Sequence, residues 1–324
     1  MKLRWGILGV ARINRALVPP LQAADRHELL AIASRDAGRA ADAAKQWEIP
    51  RAYGSYEDLL ADRDIDVVYI PLPNGLHATW TIRAAEAGKH VLCEKPLALT
   101  VDEVDRIQDA ARRAGVVVAE AFMYRHHPQT LRVRELVAAG SLGTIRLVRG
   151  AFTFSLTREG DPRLDPTQGG GSLWDVGCYP VSFARFVLGE EPVEVFGWQA
   201  TGATGVDLTF AGALRFPSGA LGLIDCGFGA PFRTHVEVVG SDASLVVPHP
   251  FKPGAAETIL VARGEQVEEV RVTGADLYLG EIEDMADAIL LGQPPRVTLA
   301  ESRGNVASLV ALLGAAHAGR PMAV

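Results

Sequence analysis

The chain has 324 residues, 48% hydrophobic and 22% charged, the proportions of an ordinary globular protein, which exclude intrinsic disorder and leave room for one large or two ordinary domains. Its 39 acidic residues against 32 basic ones give a net charge of -7, and the basic residues are scattered, which excludes a nucleic-acid binder. The longest charge-free stretches, 67–82 and 304–319, are broken by Pro, Asn, Gly or His and are too short to span a bilayer, so no membrane association is expected.

The N-terminal segment MKLRWGILGVAR combines basic residues with an apolar run as a secretory signal does. The run stops at Arg12 without a small-residue cleavage site, so it reads as a first strand. Five apolar runs, Leu3–Leu8, Leu29–Ala33, Val67–Ile70, His90–Cys93 and Val116–Ala119, are too continuous to alternate, which predicts strands buried on both faces. Helical patterns separate them at 12–24, 36–47, 55–61, 77–87 and 100–114, with capping signals at Ser55 and Thr100 and helix-ending glycines at 88 and 115. Strand and helix in alternation predict a doubly wound parallel sheet.

The turn after the first strand, Gly6-Ile7-Leu8-Gly9-Val10-Ala11-Arg12-Ile13-Asn14, stands where dinucleotide folds receive a pyrophosphate on backbone N–H groups and the positive end of a helix. Against GxGxxG only Gly9 is a glycine, with Ala11 and Asn14 at the other positions. A plain strand-to-helix turn is the alternative, and the βαβ context favours the functional reading. At the tip of the next strand, Ser34 and Arg35, with Arg39 a helical turn on, suit the 2′-phosphate of NADP, whereas Asp36 beside them keeps NAD as the lesser option. The loop Ile70-Pro71-Leu72-Pro73-Asn74-Gly75-Leu76-His77 is held extended by its prolines and suits a wall against a flat ring. Asn74 and His77 are candidate contacts to ribose or nicotinamide, a helix-capping role being the alternative for His77. Cys93-Glu94-Lys95-Pro96 ends a further strand at the same carboxyl edge, where a lysine is costly unless used or paired.

After about residue 122 the alternation stops. A helix at 128–139, a strand-like run at 144–155, a Gly- and Pro-rich loop at 160–172 and a helix at 174–188 lead to β-rich segments over 193–272 with turns at Pro217-Ser218-Gly219 and Gly240-Ser241-Asp242, the pattern of an antiparallel sheet. Helices at 278–291 and 299–316 close the chain. The expected fold is α/β: a Rossmann domain over 1–122, then a substrate-binding and oligomerisation α+β domain over 123–324 with a large, mostly antiparallel open sheet. In Gly169-Gly170-Gly171-Ser172-Leu173-Trp174-Asp175-Val176-Gly177-Cys178-Tyr179-Pro180, Asp175 and Tyr179 are four apart and on a helix share one face.

At these residues the sequence resembles the Gfo/Idh/MocA family of nicotinamide-dependent oxidoreductases. The resemblance runs along essentially the whole chain through GILGVARI, PLPNGLH, EKP, EAFMYRHHPQ and GGGSLWDVGCYP. Many members carry histidine where this chain has Tyr179. The tyrosine is similar to the branch containing dimeric dihydrodiol dehydrogenase, NADP-dependent xylose dehydrogenase and some sugar ketoreductases. The resemblance implies hydride transfer between nicotinamide and a secondary alcohol or ketone of a sugar or cyclic diol, with Tyr179 as acid/base. A free tyrosine, with a pKa of about 10, needs a nearby ammonium to act as a base at neutral pH, and Lys95 supplies one. It further implies that Lys95 bonds the reacting oxygen and the cofactor ribose, that Glu94 borders the cofactor, and that Asp175 orients the substrate.

Tyr124 and Arg125 are expected at the pocket rim, Asp161-Pro162-Arg163-Leu164-Asp165 as a mobile substrate-side loop, and Tyr278 near the cofactor. Adjacent His126 and His127 rarely ligate one metal together, so no metal site is expected. Cys93, Cys178 and Cys226 form no CxxC pair, which fits thiols in a reducing cytoplasm. An open second sheet would leave apolar surface in water, which predicts a homodimer or homotetramer. A non-catalytic NAD(P)-binding regulatory protein of the same fold is the alternative function.

Overall fold

The computed structural model describes residues 2–158 and 160–324, folded as two compact units. The first comprises Met1–Met123 and Tyr278–Arg303, the second Tyr124–Leu277 and Gly304–Val324. Residues 278–303 thus return to the first unit rather than staying with the second as the sequence division has it.

In the first unit β1 (Leu3–Leu8), β2 (His27–Ala33), β3 (Arg51–Tyr53), β4 (Val67–Ile70), β5 (His90–Glu94) and β6 (Val118–Ala121) form the expected parallel sheet, in the order β3-β2-β1-β4-β5-β6. The strand order reverses between β1 and β4, where ligands bind in such folds. Between the strands lie α1 (Asn14–Ala23), α2 (Ala37–Gln46), α3 (Tyr56–Ala61), α4 (Asn74–Glu86) and α5 (Val101–Ala114). The edge strand β3 escapes the sequence pattern because Arg-Ala-Tyr has no apolar run; it is held by pairing with Ala31–Ala33. β6 begins two residues later than expected because the α5 cap extends through left-handed Gly115 (φ 68°) and a bond from the Val116 N–H to the Ala111 carbonyl.

The second unit carries α6 (Pro128–Ala138), β7 (Ile145–Ser155), α7 (Cys178–Leu188), β8 (Glu194–Thr201), β9 (Asp207–Arg215), β10 (Leu221–Gly227), β11 (Gly229–Gly240), β12 (Ser244–Val247), β13 (Ala256–Arg263) and β14 (Gln266–Thr273). Then α8 (Leu279–Leu291) packs on the first unit, α9 (Leu299–Ala318) leads back, and β15 (Met322–Ala323) completes a nine-stranded sheet in the order β14-β13-β12-β11-β7-β10-β9-β8-β15. Only β7 and β10 pair in parallel among the described strands of this sheet.

Ile282, Met285 and Ala286 of α8 join Trp5, Ile7, Leu17, Leu21 and Tyr69 in one buried cluster. Arg26 pairs with Glu283 and Asp287, fixing the same helix to the end of the β-sheet. In the second unit Gly150 of β7 lies under α7: a Cβ there would stand 2.6 Å from Cβ of Pro180, so only glycine lets the helix bearing Tyr179 approach. Among the described residues no helix is long and apolar enough to cross a membrane, and no cluster of three or more His, Cys, Asp or Glu could hold a metal ion.

Candidate active site

In the first unit the carboxyl ends of β1, β2, β4 and β5 bring together the residues expected to hold a dinucleotide. Gly9 adopts φ +133°, and a Cβ there would meet Leu72 Cδ2 at 3.0 Å, so the β1 turn and the β4 loop touch through a glycine. Asn14, at the third position of the glycine fingerprint, fixes the turn by donating from its side chain to the Gly9 carbonyl at 2.9 Å. No side chain caps α1 at Ile13. The Asn14, Arg15 and Ala16 N–H groups donate instead to the carbonyls of Ala11, Arg12 and Ile13, so the β1 turn itself closes the start of α1.

At the tip of β2, Ser34 is buried and its Oγ accepts from the Asp36 N–H at 3.2 Å, while Arg35 and Arg39 are exposed. Asp36 caps α2, its Oδ1 accepting from the Arg39 N–H at 3.1 Å. The carboxylate that favoured NAD is thus engaged by a helix end, and Arg39 Nη2 donates to the Val10 carbonyl of the β1 turn at 3.2 Å. This donor set fits a dinucleotide bearing a 2′-phosphate.

The β4 loop and the Glu94-Lys95-Pro96 turn are joined by His77. The helix α4 starts three residues earlier than expected, so Asn74 opens its first turn and His77 lies one turn in. His77 is fully buried, with Nδ1 2.7 Å from the Pro96 carbonyl oxygen and Nε2 2.7 Å from that of Leu72. Both nitrogens face backbone carbonyls, so the side chain braces the two loops and does not cap α4. Burial holds its pKa below the usual histidine range, against the pull of the two carbonyls. Pro71 and Leu72 are buried; Glu94 and Lys95 are half-buried.

Near the Glu94-Lys95-Pro96 turn, two buried carboxyl groups, those of Glu120 and Glu281, were not marked by the sequence. Glu120 of β6 accepts from the Leu97 N–H at 3.0 Å and from Ser302 Oγ at 2.6 Å, tying the turn beyond Lys95 to α9. Tyr69 donates its hydroxyl to Glu94 Oε1 at 2.5 Å. Glu281 of α8 is 1% exposed, and neither carboxyl oxygen has a hydrogen-bond partner among the described residues. Burial, with Glu94 and Asp284 adding to it, pushes its pKa well above the usual carboxyl range. The folded protein therefore holds a proton on Glu281 that the unfolded chain releases above the ordinary value of 4.5. Its contribution is fully present below that pH and is lost as pH rises toward the folded-state value. Relative to wild type, Glu281→Gln should gain stability by up to about 1.4 kcal/mol per pH unit in that window. Urea melts of both proteins from pH 5 to 9 check this; parallel pH dependences would contradict it.

In the second unit, Tyr179 is 5% exposed, its ring 5.3 Å from Phe152, 5.4 Å from Phe251 and 5.7 Å from Tyr124 between centroids. Tyr124 and Arg125, expected at a pocket rim, are instead packed inside. Tyr124 is fully buried and donates to Ser182 Oγ at 2.9 Å, and Arg125 lies 3.8 Å over the Phe186 ring. Burial pushes the Tyr124 phenol well above its usual range, which leaves it a neutral donor. His127 caps α6, accepting from the Gln129 N–H.

Asp175 sits in a π-helical turn, Leu173–Gly177, continuous with α7. Backbone N–H groups there reach back five residues, so Asp175 and Tyr179 lie about one widened turn apart. Buried Asp207 of β9 holds the start of this turn, accepting from Ser172 Oγ at 2.6 Å and from the Leu173 N–H at 2.8 Å. Asp175 Oδ2 accepts from Arg163 Nε at 2.7 Å. The 161–165 loop is bonded to the glycines that follow it: the Gly171 N–H donates to the Arg163 carbonyl and the Gly170 N–H to the Asp165 carbonyl, both at 2.9 Å. A Cβ on Gly170 would stand 2.6 Å from the Arg163 carbonyl oxygen, which is why the loop packs against glycines. Tyr278, outside the second unit, precedes α8 and packs against the core of the first.

The profile of an oxidoreductase family with an NAD-binding Rossmann fold, GFO/IDH/MocA, matches residues 3–122, and that of the GFO/IDH/MocA C-terminal domain matches 130–246. The chain is 42% identical over 98% of both proteins to a D-xylose 1-dehydrogenase (NADP+) of Haloferax volcanii. It is 36% identical to a trans-1,2-dihydrobenzene-1,2-diol dehydrogenase of Danio rerio, covering 76% of this chain and 75% of that one. The crystal structure of a 3-ketoreductase from Actinomadura kijaniata in complex with NADP and TDP-benzene superposes with a TM-score of 0.92 at 31% identity, over 97% of this chain and 98% of that chain.

Proposed function

Because the chain belongs to the GFO/IDH/MocA oxidoreductase family, we propose that it is an NADP-dependent dehydrogenase or reductase of a sugar or cyclic diol. The observation that carries the reading is the joint presence of Lys95 in the Glu94-Lys95-Pro96 turn and of Tyr179 one turn beyond Asp175. Relatives named as a D-xylose dehydrogenase, a dihydrodiol dehydrogenase and a 3-ketoreductase support the substrate class.

NADP, when bound, accepts hydride from a carbinol carbon, or donates it to a ketone in its reduced form. The N-terminal end of α1, with the backbone from Gly9 to Ile13, would hold its pyrophosphate, and Ser34, Arg35 and Arg39 its 2′-phosphate. Pro71, Leu72, Asn74, Glu94 and Lys95 would border the nicotinamide ribose. Tyr179 takes the alcohol proton during oxidation and returns it during reduction. A free phenol, with a pKa of about 10, is a poor base at neutral pH, and the Lys95 ammonium would supply the field that favours its phenolate. Asp175 accepts from a neighbouring substrate hydroxyl and so fixes which carbon reacts.

The outer face of β8–β10 exposes Trp198, Leu221 and Leu223, with Phe196 against Trp198. This apolar patch supports a homo-oligomer, dimer or tetramer. Three buried free thiols suit the cytoplasm.

NADPH and NADH consumption against aldoses, ketosugars and diols tests the reading. Turnover with at least about a tenfold preference for NADPH is expected, since the 2′-phosphate gains charge-assisted hydrogen bonds. Tight NADPH binding without turnover of any substrate would favour a regulatory dinucleotide-binding protein.

A further inference from the structure

The proposed reaction uses Asp175 but gives no role to Arg163, which pairs with it. Arg163 is anchored along its backbone: its N–H donates to Asp161 Oδ1 at 3.0 Å and its carbonyl accepts from Gly171 at 2.9 Å. Its side chain donates through Nε to Asp175 at 2.7 Å, while Nη1 makes only a 3.4 Å contact with Asp161 and Nη2 reaches no described residue. The side chain is 43% exposed, against 12% for Asp175 and 2% for Asp161. A carboxylate alone offers acceptors; with a fixed guanidinium against one oxygen it becomes an acceptor with donors alongside. Two neighbouring hydroxyls of one ring match that pair, one donating to Asp175 and the other accepting from Arg163.

We propose that Arg163 is a specificity-determining residue which, with Asp175, reads two adjacent hydroxyl groups of the substrate. The inference rests on the reading of Asp175 as the carboxylate that orients substrate. Because the loop backbone and the Asp175 contact already hold the guanidinium, little side-chain freedom is lost on binding.

The test combines protein and substrate changes. Wild type, Arg163→Gln and Arg163→Lys are assayed with a sugar that wild type turns over and with its monodeoxy derivative lacking a hydroxyl beside the reacting carbon. Removing either partner alone should lower kcat/KM by about tenfold to a hundredfold, as expected for a hydrogen bond to a charged group. Removing both should cost little more than one, most of the effect lying in KM. If Arg163 merely latches the loop, each variant loses equally on both substrates, which overturns the proposal. Thermal melts identify a variant that fails to fold, and the wild-type series of deoxy substrates then decides: indifference to the neighbouring hydroxyl overturns the inference. Turnover of simple mono-alcohols but of no polyol overturns it while leaving hydride transfer intact; no turnover of any alcohol or ketone overturns both readings.

Discussion

Tyr179→Phe should lower kcat by about a hundredfold or more while leaving NADPH binding unchanged, the scale on which a positioned acid or base contributes. The substitution removes one oxygen and leaves the ring, so contacts with Phe152, Phe251 and Tyr124 at centroid distances of 5.3 to 5.7 Å survive. Stability should change little, which separates a lost proton carrier from a damaged core. Fluorescence titration with NADPH and steady-state rates on one sugar check both halves. A variant retaining full turnover would remove Tyr179 from the chemistry. If the proton moves in the same step as hydride, the defect should appear equally in kcat and kcat/KM.

The neighbourhood of Tyr179 makes this sharper than a typical aromatic substitution. Tyr124 is a neutral donor occupied with Ser182, so it is not poised to replace the missing hydroxyl. Asp175, engaged by Arg163, is an acceptor whose ordinary acidity is far below that of a phenol.

Much of this was legible in the sequence for identifiable physical reasons. Parallel strands buried on both faces leave continuous apolar runs, so β1, β4 and β5 stand out. Thr100 with Glu103 forms a full capping box, so the start of α5 was visible too. β3 left no trace because its three residues owe their extended form to pairing with β2. α8 was recognisable as a helix, but its amphipathic pattern does not say which unit covers it, and Ile282 and Met285 lie in the core around Trp5 and Tyr69. His77 bridges two carbonyls inside the fold, and in sequence such a histidine looks the same as one that faces a ligand. The π-helical turn depends on Asp207, more than thirty residues away along the chain, gripping Ser172 and Leu173. The Arg163–Asp175 pair was hidden similarly: Arg163 was visible only as part of an acidic loop, and its pairing depends on the glycines that let that loop close.

Lys95→Ala should match or exceed the loss in Tyr179→Phe, and its signature should be a shift in pH dependence rather than a uniform fall. An ammonium favours the charged form of a phenol, so losing it raises the pKa of Tyr179. Alcohol oxidation needs the phenolate, and its rate should then rise with pH across a range displaced upward from wild type. Ketone reduction needs the protonated phenol, and its pH limb should move upward as well, so the reductive rate should hold to higher pH than in wild type. The turn itself is braced by Glu120 through Leu97 and by His77 through Pro96, which keeps its backbone in place when the side chain is cut. Lys95→Arg keeps the charge but changes donor geometry, so it should restore the pH profile more than the rate. Profiles of kcat for oxidation and reduction, measured for wild type and both variants, check the assignment. A fall in rate with an unmoved profile in Lys95→Ala would mean that Lys95 positions the substrate and leaves the proton affinity of Tyr179 to other groups.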